Sequence, residues 1–204
     1  MKKRGQVWIE TVMYTLIALI IIGLVLAYAK PKIEEAQDKA TIEKSLVMMQ
    51  EIDSLVTQLV QGGPGNIRNI GLEIKKGSLV IDEDKEWLLF ELDGKYVFSE
   101  AKKDKIDFVH VGYGSFFVIT EDKGKIKKVT IKRNYTNYDI EYTGTTLQKS
   151  STPYTLSMSN EGKPSPPMSG EKCAKNEDCI DYSSGVCESG TCKYTPTIIK
   201  FEVS

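Results

Sequence analysis

The densest set of chemically capable side chains in this sequence is a cysteine quartet, Cys173, Cys179, Cys187 and Cys192, spaced C-x5-C-x7-C-x4-C. Thiols at such range either hold a soft metal or oxidise in pairs. Zinc sites favour close C-x2-C pairs, which this spacing lacks, so two disulfides in an oxidising compartment are expected and no metal. Spacing alone leaves all three pairings open. His110 is the one histidine, with no second histidine, paired cysteine or nucleophile elbow accompanying it, so its expected role is structural. Asp82, Glu83, Asp84 and Glu86 lack the alternation of a calcium loop and read as a solvated turn. Gly112 and Gly114 have no third glycine ahead of a helix, and so form a turn, not a phosphate cradle. Asn134-Tyr135-Thr136 is an N-x-T sequon, which makes Asn134 a glycosylation candidate if it is exported. These groups do not converge on an active site; neither enzymatic activity nor a cofactor is expected.

The remaining constellation is N-terminal, and its chemistry is that of charge beside a membrane. Lys2, Lys3 and Arg4 precede Gly5 and Gln6, and Glu10 stands before an uncharged run from Thr11 to Ala29. At ~1.5 Å per residue that run makes ~28 Å of helix, close to the ~30 Å of bilayer hydrocarbon. The basic head favours a cytoplasmic N-terminus with the remainder exported. Glu10 is out of place by the same physics, since a carboxylate at the edge of hydrocarbon is costly and marks a functional residue.

In that order, basic leader, Gly, Gln, Glu and apolar run, the segment resembles the processing signal of type IV prepilins, most closely the archaeal class III type. The resemblance implies cleavage between Gly5 and Gln6, with Glu10 becoming the fifth residue of the mature chain. The archaeal form often has a hydroxyl residue third and leucine ninth; Trp8 and Tyr14 stand there. It further implies a filament subunit whose partners are a prepilin peptidase, an assembly ATPase with its membrane platform, and other pilin subunits. The membrane holds the chain before assembly, and the mature domain ends outside the cell in a surface filament. Elementary electrostatics points the same way: three leader cations would enter a crowded apolar core at prohibitive desolvation cost, and the ammonium freed on Gln6 can neutralise Glu10.

Such a segment has two other uses. Ala27-Tyr28-Ala29 offers a secretory cleavage site, yet the apolar stretch exceeds the usual ~7–15 residues and a signal peptide has no use for Glu10. The alternative function is a single-pass membrane-anchored extracellular binding module with a cysteine-rich recognition loop.

Beyond Lys30, Pro31 predicts a kink. Ile42, Leu46, Met49, Ile52, Val56 and Leu59 then recur at helical intervals and form a docking face. Gly62-Gly63-Pro64-Gly65 stops the helix. Period-two stretches follow near 70–75, 78–82, 86–92, 95–100, 105–111, 115–120, 125–133 and 135–142, with hairpin turns at Asp93-Gly94 and Asp122-Lys123-Gly124. The expected core is Leu79, Ile81, Trp87, Leu89, Leu92, Val97, Phe108, Phe117, Ile119, Val129 and Ile131. A further strand is expected near 152–157.

The fold class is therefore α+β: a long N-terminal helix, half membrane-spanning and half amphipathic, on an antiparallel sheet or sandwich, with a small disulfide-rich module. The expected divisions are a leader (1–5), a spanning or filament-core helix (6–29), an amphipathic helix (30–61) and a β domain (66–159). A linker (160–170), the stapled module (171–195) and a returning strand (196–204) complete the chain. The cysteine cluster is similar to four-cysteine, knottin-like turns of secreted proteins, which implies Cys173 with Cys187 and Cys179 with Cys192. Net charge is −1; removing Lys2, Lys3 and Arg4 from 27 basic residues leaves 24 against 28 acids, or −4. Nucleic acid is not an expected partner. Lys127, Lys128, Lys132 and Arg133, near Tyr135 and Tyr138, read as a solvated basic strand face rather than an anion-binding one.

Overall fold

The structure, a computed structural model, describes residues 3–98, 109–110, 116–164, 168–175, 179, 186–194 and 196–204. Helix α1 (Lys3–Gly62) is continuous and holds Pro31 within it; at ~1.5 Å per residue it is ~90 Å long. Proline is tolerated there because the carbonyl it strands, on Ala27, lies on an exposed turn. Among the described residues there follow β1 (Ile67–Leu72), β2 (Ser78–Asp82), β3 (Trp87–Gly94), β4 (Val109–His110), β5 (Phe116–Asp122), β6 (Lys127–Asn134), β7 (Tyr138–Thr143), β8 (Leu147–Gln148), β9 (Tyr154–Gly162), β10 (Met168–Lys172), β11 (Val186–Glu188), β12 (Thr191–Tyr194) and β13 (Thr197–Val203).

One sheet runs β1-β9-β13-β7, the second β4-β5-β6-β3-β2-β8, and a small third β10-β12-β11. Strand pairs are antiparallel except β13 with β7, which is parallel. The helical face Ile42, Met49, Ile52, Val56 and Leu59 is buried as its spacing predicts. It shares one core with Leu156, Met158, Ile199 and Phe201 of the first sheet and Leu88, Phe90, Val118 and Ile131 of the second. The fold is α+β.

Several local expectations are corrected. Asp93-Gly94 is not a hairpin turn, because both residues stay in β3, paired with Lys128 and Lys127. The chain then leaves the sheet as the Lys95 amide donates to the buried Asp38 of α1 at 2.7 Å, so residues 95–98 form no strand. The buried face of β3 is Leu88, Phe90 and Leu92, and that of β5 is Phe116 and Val118. Trp87, Leu89, Phe117 and Ile119 point the other way and are half-buried, while Val97 is exposed; Phe108 lies outside the described residues. Residues three apart, such as Leu89 and Leu92, cannot share a strand face. Arg133 turns inward to the helix on the same face as its cross-strand partners Leu88 and Phe116 and the buried Val129 and Ile131.

The stretch read as a linker begins inside β9. Asn160 is buried, donating to the Leu59 carbonyl at 2.9 Å and accepting the Gly162 amide at 2.9 Å. The Gly65 amide bonds the Asn160 carbonyl at 2.7 Å, and Asn66 caps the Gly62 and Gly63 carbonyls. Gly63 and Gly65, at φ of 80° and 84°, make the reversal. Asn160→Ala strands both a buried acceptor and a buried donor, and should cost about 2 kcal/mol, seen as a lower urea midpoint with unchanged slope.

The cysteines pair as Cys173–Cys187 and Cys179–Cys192, the connectivity that the knottin-like resemblance implies. Their module sits between β9 and β13, and β13 returns to the middle of the first sheet.

Candidate functional site

Among the described residues, the exposed large hydrophobics concentrate on one element. Trp8, Ile9, Met13, Tyr14, Leu16, Leu19, Ile20, Leu24, Leu26 and Tyr28 are each more than half exposed along α1. The same rod passes from this open half into the domain core within a few turns, Ile42 being the first fully covered apolar residue. Such a stretch is long and apolar enough to cross a membrane. In water it would be a liability far beyond the few hundred Å² of apolar patch that soluble proteins expose.

Glu10 lies at the head of this surface and is exposed. One turn on, the Tyr14 hydroxyl donates to its Oε1 at 3.2 Å, as i and i+4 positions permit. The Tyr14 hydroxyl thus holds the carboxylate. The backbone of Gly5 and Gln6 is helical; their side-chain surroundings lie outside the described residues.

At the neck, Glu34 pairs with Lys95 at 2.5 Å. Asp38 pairs with Lys76 and accepts the Lys95 amide, and a side chain on Gly94 would strike its carboxylate. The rod is therefore clamped to the head rather than hinged. A small depression bounded by Leu26, Ala29, Lys30, Ile33 and Glu34 adjoins, at Glu34, a groove of about 1100 Å³ between α1 and the head. The groove's lining includes the apolar side chains of Val47, Met48 and Ile126.

The other residues of interest are dispersed. His110 pairs with Phe117 across the β4–β5 ladder, its side chain falling outside what is described, as do Gly112 and Gly114. The four basic residues of β6 do not form one solvated face, since Lys128 and Lys132 project from one side and Lys127 and Arg133 from the other; Lys127 meets Asp122 at 2.5 Å, Lys128 meets Glu91 at 2.7 Å and Arg133 turns inward to meet Asp53 at 2.6 Å. Lys132 lies 2.8 Å from the centre of the Trp87 ring, and burial lowers its pKa. Asn134 is half-buried beside Trp87 in register, and its Oδ1 accepts the Thr136 amide at 2.8 Å. Cys173, Cys179 and Cys192 bring three sulfurs close together, but all are oxidised in disulfides and offer no thiolate to a metal. The acids at 82–86 are not simply solvated, for Glu83 and Glu86 bond the backbone of β7. No family model, curated protein or solved structure matches this chain.

Proposed function

We propose that the chain is a structural or minor subunit of a type IV pilus-like surface filament, assembling through α1 after cleavage between Gly5 and Gln6. One observation carries the reading: a single helix is wholly open over its apolar half and fixed into a folded head by the other. Lipid covers that open half first, and copies of the same helix cover it afterwards. In lipid the association draws on van der Waals packing and lipid entropy, and outside it on apolar burial. Glu10 and the freed Gln6 amine pair between neighbours and set their stagger. The partners are a prepilin peptidase, an assembly ATPase with its membrane platform, and further subunits. The head stands outside the cell, the work is self-association rather than catalysis, and nucleic acid is not a partner.

N-terminal sequencing of the mature protein tests this. A start at Gln6 is the expected result. A start at Met1 would favour the anchored binding module presenting its cysteine loop, and a start at Lys30 a secreted protein; either overturns the filament reading.

A further inference from the structure

The free edge of β7 is sealed in an unusual way. In the parallel pairing with β13, alternate residues of β7 direct their amides away from the sheet. Tyr138 gives its amide to the Tyr135 carbonyl at 2.7 Å. The next two go to side chains of the turn between β2 and β3 in the other large sheet: Ile140 to Glu86 Oε2 at 2.7 Å, and Tyr142 to Glu83 Oε2 at 3.2 Å. The Tyr135 amide in turn bonds the Glu86 carbonyl at 2.8 Å. Glu86 is held at φ 56°, a left-handed conformation that a residue with a Cβ adopts only at a cost. The turn is thus bent to deliver two carboxylates to one strand edge, where an open row of amides would otherwise invite another strand.

We infer that Glu83 and Glu86 form a proton-regulated clasp between the two sheets, closed while Glu86 is protonated and loosened when it ionises. The surroundings set that direction. Glu86 faces Asp139 on β7 and Asp82 and Glu83 on its own turn, and burial together with these charges raises its pKa to about 7, against the lowering by the Ile140 amide. The turn's one cation, Lys85, is engaged by Asp82 at 2.9 Å, and burial also raises the Asp139 pKa. A neutral carboxyl still accepts the Ile140 amide through its carbonyl oxygen and sheds the repulsion. The unfolded group gives up its proton near 4.5, whereas the folded group keeps it to about 7. The proton-linked stabilisation is consequently complete below about 4.5 and is lost as pH rises through 7. The inference is independent of the filament reading, since it concerns the head alone.

Hydrogen exchange of the full-length chain in detergent micelles tests it, reading the peptide over Tyr138–Thr143 and correcting for intrinsic exchange. Protection should fall about threefold between pH 6 and pH 8, below the roughly tenfold that the full shift from 4.5 to about 7 would give, because solvent reaches the half-buried carboxyl. Glu86→Gln keeps an acceptor without a charge, and should hold the acid-side protection at both pH values. Asp139→Asn removes the strongest of the repelling charges, and should move the wild-type midpoint to lower pH. Equal protection at pH 6 and 8 in the wild type would overturn the inference. So would an unchanged pH response in Glu86→Gln, which would assign the titration to another group. Should Glu86→Gln fail to fold, the wild-type profile and the Asp139→Asn midpoint still decide, an unmoved midpoint counting against the clasp.

Discussion

Replacing Glu10 with Gln should leave the chain in the membrane with a folded head and yield no filaments. On insertion scales a buried acid costs about 2.5–3.5 kcal/mol at the bilayer centre and less near its edge, so loss of the charge favours the anchored state if it changes it at all. The head does not feel the change, because Glu10 bonds Tyr14 and belongs to a stretch exposed throughout. On the proposed filament reading, what is lost is the partner of the Gln6 ammonium. In a packed core of helices an unpaired ammonium retains a desolvation penalty of several kcal/mol, repeated at every subunit. Electron microscopy of surface filaments, set beside membrane flotation of the same cells, reads both halves of the prediction. Normal filaments from this variant would refute charge pairing, and a variant missing from the membrane would show that Glu10 serves insertion instead.

Where the sequence was legible, a local signal coincided with a global one. The amphipathic spacing from Ile42 to Leu59, the stop at Gly62–Gly65 and the Asp122-Lys123-Gly124 turn each depend on a few neighbouring residues, and the structure holds all three. The cysteine module was legible because so small a polar unit needs covalent closure. Misreadings arose where a distant partner decided. Asp93-Gly94 has good turn chemistry, yet Lys127 and Lys128 keep it in β3 and Asp38, far back in the helix, redirects the chain after it. Asn160 lies in a polar run that reads as linker until the open carbonyl of Leu59 is taken into account. Among the acids at 82–86, Glu83 and Glu86 take backbone amides of β7 as partners, which no side-chain pattern records. At the site itself, Glu10 announced itself by its cost in hydrocarbon, whereas the Tyr14 bond needed the helix to be built.

Truncating Asp53 to Ala should destabilise the head by about 3 kcal/mol, a large share of the ~5–15 kcal/mol that holds a domain together. Asp53 lies on the buried side of α1 and meets Arg133 Nε at 2.6 Å, both side chains being only 18% exposed. The guanidinium carbon lies 5.0 Å from the Tyr135 ring and 5.7 Å from that of Phe116, with one bond to the Asn134 carbonyl at 3.2 Å. Without the carboxylate, a charge remains in a site of low polarity with aromatic faces and a single carbonyl for company. The asymmetry of buried pairs sharpens the expectation. Asp53→Leu combined with Arg133→Met exchanges the pair for apolar volume, and should recover to within about 1 kcal/mol of the parent. Urea unfolding followed by Trp87 fluorescence, in a Trp8→Phe background, measures both. A loss under 1 kcal/mol for Asp53→Ala would mean that water enters and screens the guanidinium, and the pair would then rank with surface pairs such as Lys39–Glu43. A double variant as damaged as the single would show instead that this pair fixes the angle at which α1 crosses the second sheet. On the proposed filament reading, that angle decides how the outer half of α1 meets its neighbours.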